Sequence, residues 1–205
     1  MRTIALATLA ARVAASPPRL GDTRLVCVDG PAGSGKTTLA GALRPALVQQ
    51  TGWTVPLVHM DDCYRGWTGL DDELVARVTA QILDPLRAAR TGRYQRYDWG
   101  RSRFEEWHEV EPAPALLLEG VGSAPLAFRS WISLLVWVEA GEEDRLSRGL
   151  ARDGHTLAPL WRRWMLLEAE FAAAHRTRER ADIIVNGSSL STGWPERLEI
   201  VGDRS

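Results

Sequence analysis

The chain has 205 residues, 45% of them hydrophobic, and a formal net charge of −1 at pH 7. That length suits one α/β domain with a full core. The near-neutral balance speaks against a basic nucleic-acid-binding surface, and no stretch approaches the roughly 20 apolar residues of a membrane span.

In chain order, the alanine-rich segment Thr3–Ala15 comes first, flanked by Arg2 and interrupted by Arg12. With Pro17 and Pro18 behind it, residues 1–20 read as a short amphipathic helix packed on the domain rather than a signal peptide. Arg24–Asp29 is a short apolar run rich in valine, as expected of a buried parallel strand. Next comes Gly30-Pro31-Ala32-Gly33-Ser34-Gly35-Lys36-Thr37, which matches G-x-x-x-x-G-K-[ST] at every fixed position. Lys36 is the only lysine; the other basic residues counted with it are all arginine. A chain that uses arginine everywhere else keeps a compact ammonium where one must reach between phosphates. The segment Lys36–Gln50 then reads as a helix with Leu39 and Leu43 on one face. Strand, glycine turn and helix N-terminus in this order form an anion cradle of backbone N–H groups. Lys36 serves the β and γ phosphates, and Thr37 offers a hydroxyl to Mg²⁺.

Four further strands are expected at Thr54–His59, Ala115–Glu119, Ser133–Glu139 and Asp182–Asn186, with helices at Asp71–Ala89, Glu142–Arg152 and about Leu157–Arg178. The alternation argues for a parallel sheet wrapped by helices. Residues 91–114 lack clear periodicity and read as an irregular functional loop. Cys27 and Cys63 have no metal-ligand spacing, and so few cysteines fit a reducing, cytoplasmic setting.

Ligands in open parallel sheets bind outside the carboxyl ends of the strands. The second strand runs into His59-Met60-Asp61-Asp62-Cys63-Tyr64, and the third ends in Glu119-Gly120. Asp61 is the candidate to take the proton of an attacking hydroxyl, and Glu119 to position Mg²⁺ or its water. Asp62 reads as a turn cap. Arg145, Arg148 and Arg152 recur at i, i+3 and i+7, so they share one helix face. Neighbouring Glu and Asp can answer their charge; the preferred reading is a closing lid over residues 142–165 that answers phosphoryl charge. Arg162 and Arg163 extend the idea more weakly. Of the nine tryptophans, Trp161 and Trp164 read as helix packing, while Trp67 and Trp99 suit packing and ligand contact equally.

These pieces resemble the uridine kinase-like group of P-loop kinases, which has relatives acting on pantothenate, ribulose phosphate and glycerate. The matching segments are Val28–Thr38, His59–Tyr64, Tyr97-Asp98-Trp99, Leu117–Gly120, Arg145–Asp153 and Ala181–Val185. The resemblance implies a P-loop NTPase three-layer fold, with a five-stranded parallel sheet flanked by helices and a helical lid. It implies ATP as co-substrate, bound by Gly30, Ala32, Gly33, Ser34, Gly35, Lys36, Thr37, Thr38 and Arg152. Catalysis would fall to Asp61, Lys36, Arg145 and Arg148, and Mg²⁺ to Thr37 and Glu119. The acceptor would meet Asp61, Tyr64, Tyr97, Asp98 and Arg101. One departure concerns the acceptor. Nucleoside kinases carry a histidine shortly after the Tyr-Asp-aromatic triplet, whereas here Gly100-Arg101-Ser102-Arg103 follows.

The expected activity is phosphorylation of a hydroxyl on a small molecule, most readily a nucleoside. A pantothenate- or glycerate-like acid is the alternative acceptor, to which Arg101 and Arg103 lend support. A non-catalytic ATP-binding regulatory protein is the alternative from another class. A guanine-nucleotide switch is ruled out, because its N-K-x-D segment needs a second lysine. The partner expected is the small-molecule hydroxyl acceptor, with no nucleic acid and no membrane; a homo-oligomer is compatible with the sequence.

Overall fold

The computed structural model describes residues 2–190 and 196–204. The chain opens with β1 (Arg2–Ala5), α1 (Leu6–Ala15), β2 (Arg24–Asp29), α2 (Lys36–Thr51) and β3 (Leu57–His59). A long helical segment follows as α3 (Asp72–Val78), a π turn (Thr79–Leu83) and α4 (Asp84–Arg87). Then come β4 (Gly92–Asp98), β5 (Arg103–Val110), β6 (Ala115–Glu119) and β7 (Ile132–Glu139). The chain finishes with α5 (Glu142–Asp153), α6 (Ala158–His175), α7 (Thr177–Arg180), β8 (Ile183–Asn186) and β9 (Arg197–Asp203).

The main sheet has the order β1-β9-β8-β7-β2-β6-β3. The five expected strands are its parallel part, with the phosphate-loop strand β2 between β6 and β7. Their carboxyl ends therefore share one edge. Side chains alternate across β2: Leu25 and Cys27 face one core layer, Val26 and Val28 the other. Each face is covered, so the strand's interior, Leu25 to Val28, is apolar. The first layer gathers under α3, α4 and α6 around Tyr64, Leu74, Ile82, Phe128 and Trp164. The second packs α1 and α2 through Leu9, Val13, Leu39 and Leu43.

Several expectations need correction. The first residues of the amphipathic segment are a strand, since β1 pairs antiparallel with β9. β9 pairs antiparallel with β8 as well, so two edge strands extend the parallel five. Asp203 at its end accepts both Nη groups of Arg12, at 2.6 and 2.9 Å. β3 is shorter than Thr54–His59: Pro56 has no N–H to give a ladder, and only its carbonyl is used, by Leu117 N at 3.0 Å. The helix expected at Asp71–Ala89 changes pitch in its π turn just before Pro85, which cannot donate to the preceding turn. The long final helix ends at His175, where Arg176 turns left-handed at φ 49°.

The irregular loop of residues 91–114 is a two-stranded hairpin, β4 paired with β5. Its alternation escapes notice because the register shifts between Gln95 and Tyr97. That shift puts Tyr94 and Tyr97 both inside while Arg93 and Arg96 stay out.

Candidate functional site

The phosphate loop closes by tight packing. Gly30 sits at φ 144°, and a Cβ there would lie 2.1 Å from the Val138 carbonyl oxygen. Gly33 sits at φ 77° against the backbone of Arg145. Both positions require a residue without a side chain. Below the loop, the buried Asp29 carboxylate accepts Gly30 N at 2.7 Å, Gly122 N at 2.9 Å and Ala124 N at 2.9 Å. Burial pushes its carboxyl up to about 6, against the pull of those amides and of Lys36. Asp29 thus joins the phosphate loop to the loop after β6.

Lys36 is the first residue of α2 and is nearly buried. Its Nζ donates to the Pro31 carbonyl at 2.9 Å, so the ammonium lies folded along the loop. Thr37 Oγ1 donates to Glu119 Oε1 at 3.1 Å, and His59 Nδ1 lies 2.5 Å from the same oxygen. The bond to Glu119 raises the His59 pKa, against partial loss of hydration. A hydroxyl and a carboxylate beside a phosphate cradle are the hard oxygen donors that Mg²⁺ takes, with phosphate oxygens and water completing its shell. Among the described residues no group of three or more His, Cys, Asp or Glu could hold a metal alone. The pair Thr37 and Glu119 fits an ion that arrives with its nucleotide.

One cavity of about 1100 Å³ runs from this cradle along the sheet edge. Ala32, Gly33, Gly35, Lys36, Thr37, Thr38, Asp61, Tyr64, Tyr97, Asp98, Glu119, Arg148 and Arg152 all line it. Asp61 is exposed to the cavity, but the surrounding protein strips part of the water from its carboxyl. That loss of hydration raises its carboxyl, as does nearby Glu119, while Lys36 and Arg152 oppose the shift. Arg148 Nη1 reaches the carbonyls of Gly33 and Gly187, each at 3.2 Å. Arg152 pairs with Asp153 through two bonds, of 2.7 and 3.0 Å. Asp98 accepts Arg101 N at 2.9 Å, which lowers its pKa and fixes the tip of the β4–β5 hairpin.

Some expected site residues lie elsewhere. Arg145 does not line this cavity; it is buried against Glu168 at 2.7 Å. Helical spacing gives a shared face but not what meets each end of it, and the first turn of α5 meets the phosphate loop. Arg101 turns away to Glu105, with both carboxylate oxygens within 3.0 Å. Arg103 pairs with the same Glu105. Ser34 is fully buried inside the loop, and Gly30 lies beneath it. Asp62 lines the cavity, near Tyr94 and Arg96 of the hairpin.

The far end of the cavity is aromatic. Trp67, Trp99, Trp161 and Trp164 line it together with Tyr64 and Tyr97. Trp67 is the hub, edge-on to Trp99 at 5.6 Å, to Trp164 at 6.1 Å and to Trp161 at 6.2 Å. Trp99 Nε1 donates to the Asp61 carbonyl at 3.1 Å, tying the hairpin tip to the segment that carries the carboxylate. Trp161 Nε1 donates to Asp153 at 3.0 Å. Tyr64 gives its hydroxyl to the Val121 carbonyl at 2.7 Å and so presents its ring, not its oxygen. Trp161 and Trp164 therefore pack and line the cavity at once. Their i, i+3 spacing showed the first role; the second depends on the hairpin standing opposite.

A glycine cradle with its lysine, between a buried strand and a helix and ringed by carboxylates, defines a P-loop nucleotide-binding α/β domain. The chain belongs to the AAA ATPase domain family, whose model matches residues 1–184. No curated protein matches it in sequence. Among solved structures it is similar to a protein from Bacillus stearothermophilus described as a possible uridine kinase. The TM-score is 0.63 at 22% identity, over 87% of this chain and 96% of that one. It is also similar to a candidate fructose transport system kinase from Silicibacter sp. TM1040, with TM-score 0.60, 20% identity, and 84% and 95% of the two chains covered. A D-glycerate 3-kinase from Cryptococcus neoformans var. grubii aligns with TM-score 0.53 and 16% identity, covering 96% and 95%. The chain shares the fold of uridine kinase-like and related P-loop kinases, as its motifs led one to expect. No helix among the described residues is long and apolar enough to cross a membrane.

Proposed function

We propose that the chain is an ATP- and Mg²⁺-dependent phosphotransferase acting on a hydroxyl of a small molecule, with a nucleoside as the acceptor. One observation carries this: Lys36, Thr37, Glu119 and Asp61 face a single cavity, with phosphate chemistry at one end and an aromatic wall at the other. The volume of about 1100 Å³ exceeds that of an ordinary one-ligand pocket and leaves room for a nucleotide and an acceptor.

The backbone amides of the loop and Lys36 bind the triphosphate. Thr37 and Glu119 would hold Mg²⁺, which when bound offsets phosphate charge. Asp61 accepts the acceptor's hydroxyl proton; its pKa is raised by lost hydration and by nearby Glu119, which makes it a better base than an ordinary carboxylate. Arg148 and Arg152 answer the charge that spreads over the moving phosphoryl group. Trp67, Trp99, Trp161 and Trp164 give a flat ring a surface to lie against. With the α5–α6 hairpin closed as a lid, they would keep water from the phosphoryl group.

A second reading, a small acid as acceptor, has one contact in its favour. Arg96 lines the aromatic end and is only loosely paired, at 3.7 Å, with Glu106. A panel of nucleosides and hydroxy acids with γ-labelled ATP separates the two. Labelled product from a nucleoside supports the first reading. Product only from acids removes it, and ATP binding without product from any acceptor favours a regulatory ATP binder.

A further inference from the structure

The α5–α6 hairpin meets the phosphate loop through one buried carboxylate. Glu168 shares the inward face of α6 with Trp161, Trp164 and Met165, and its side chain is 2% exposed. Its Oε2 accepts the Ala32 N–H at 2.7 Å. Its Oε1 accepts Arg145 Nη1 at 2.7 Å. The same Nη1 reaches the Ala32 carbonyl at 3.2 Å. The Ala32 residue is thus held at both its backbone groups, the N–H by the glutamate and the carbonyl by the arginine.

A buried ion pair adds little net stability, because desolvating two charges cancels most of their attraction. What this one fixes is geometry. A carboxylate accepting a backbone amide is a strong, directional bond, and Ala32 sits at the crest of the loop, ahead of Gly33 to Thr37. We propose that Glu168 is a positioning residue for nucleotide binding: by holding the Ala32 amide, with Arg145 across from it, it keeps the loop crest turned so that the following amides converge on phosphate. Neither side chain needs to touch the nucleotide. Arg145 belongs to this clamp.

The role rests on the nucleotide-binding function proposed above. The test uses the full chain and the non-hydrolysable analogue AMP-PNP with Mg²⁺, titrated by calorimetry. Glu168→Gln keeps the volume but cannot accept both bonds. The expected result is about tenfold or weaker AMP-PNP binding by folded variant, as for loss of one charge-assisted hydrogen bond. Arg145→Lys should move the same way by less. In the wild type, amide exchange should show Ala32 protected. A folded Glu168→Gln that binds as the wild type does, or an Ala32 amide exchanging at the rate of an open loop, overturns the role. If Glu168→Gln does not fold, Arg145→Lys and the wild-type exchange decide. Wild type that binds no AMP-PNP fails the proposed function first, whatever Ala32 shows.

Discussion

The two ends of the cavity are built on different terms. The phosphate end is made of backbone: amides, glycines and one lysine, locked by Asp29 below and the Glu168–Arg145 clamp above. The aromatic end is made of side chains from three separate stretches, the turn at Trp67, the hairpin tip at Trp99 and helix α6, all meeting at the Trp67 ring. On the proposed function, the first would bind a group common to every nucleotide, and so would tolerate little change in shape. The second would read whatever carries the hydroxyl, and side chains can vary there without disturbing the sheet.

The largest effect falls at the phosphate end. Lys36→Ala should abolish measurable turnover, because the sequence holds no other lysine to replace it; steady-state assays check this. Between the ends stands Asp61. Asp61→Asn should lower kcat by about 10²–10⁴-fold, the usual worth of a general base, while AMP-PNP affinity stays within about threefold. The wild-type rate should fall with acid as the Asp61 carboxylate protonates. Since its pKa is raised, that loss begins at higher pH than for an ordinary carboxylate. A pH–rate profile shows the limb, and Asp61→Asn should lack it.

At the aromatic end the effect is smaller and falls on a different constant. Trp99→Ala should raise the acceptor KM by about tenfold, as expected when one stacking surface is lost, and leave the ATP KM unchanged. A rise in both would mean that the two ends are not separable. Smallest of all, Arg101→Ala should change kcat/KM by no more than about twofold, because its exposed guanidinium is spent on Glu105. A tenfold loss on an acidic substrate would bring Arg101 back into the site.

The same contrast explains what could be read from the chain. The phosphate loop was legible because it is local: strand, glycines, lysine and helix follow one another within about fifteen residues. That Asp61 and Glu119 share one edge was legible because parallel strands place their ends together. β1 and β9 were not, since their pairing joins Arg2 to Ile200, the two ends of the chain. The β4–β5 hairpin was hidden by the register shift at Gln95–Tyr97. The Arg145–Glu168 pair was not legible, because a helical face does not tell which of its residues meets a neighbour. Glu168 carried a signal that went unread: it falls at i+7 from Trp161 and i+4 from Trp164, on the apolar stripe of α6. A lone carboxylate on such a stripe needs a buried partner.

The most direct measurement is a crystal structure of the full chain with Mg²⁺ and AMP-PNP. The account predicts the triphosphate in the amide cradle with Lys36 swung from Pro31 onto it, the cation against Thr37 and Glu119, and the space between Asp61 and the tryptophans left open. A triphosphate bound anywhere else, or one that fills the aromatic end, would contradict it.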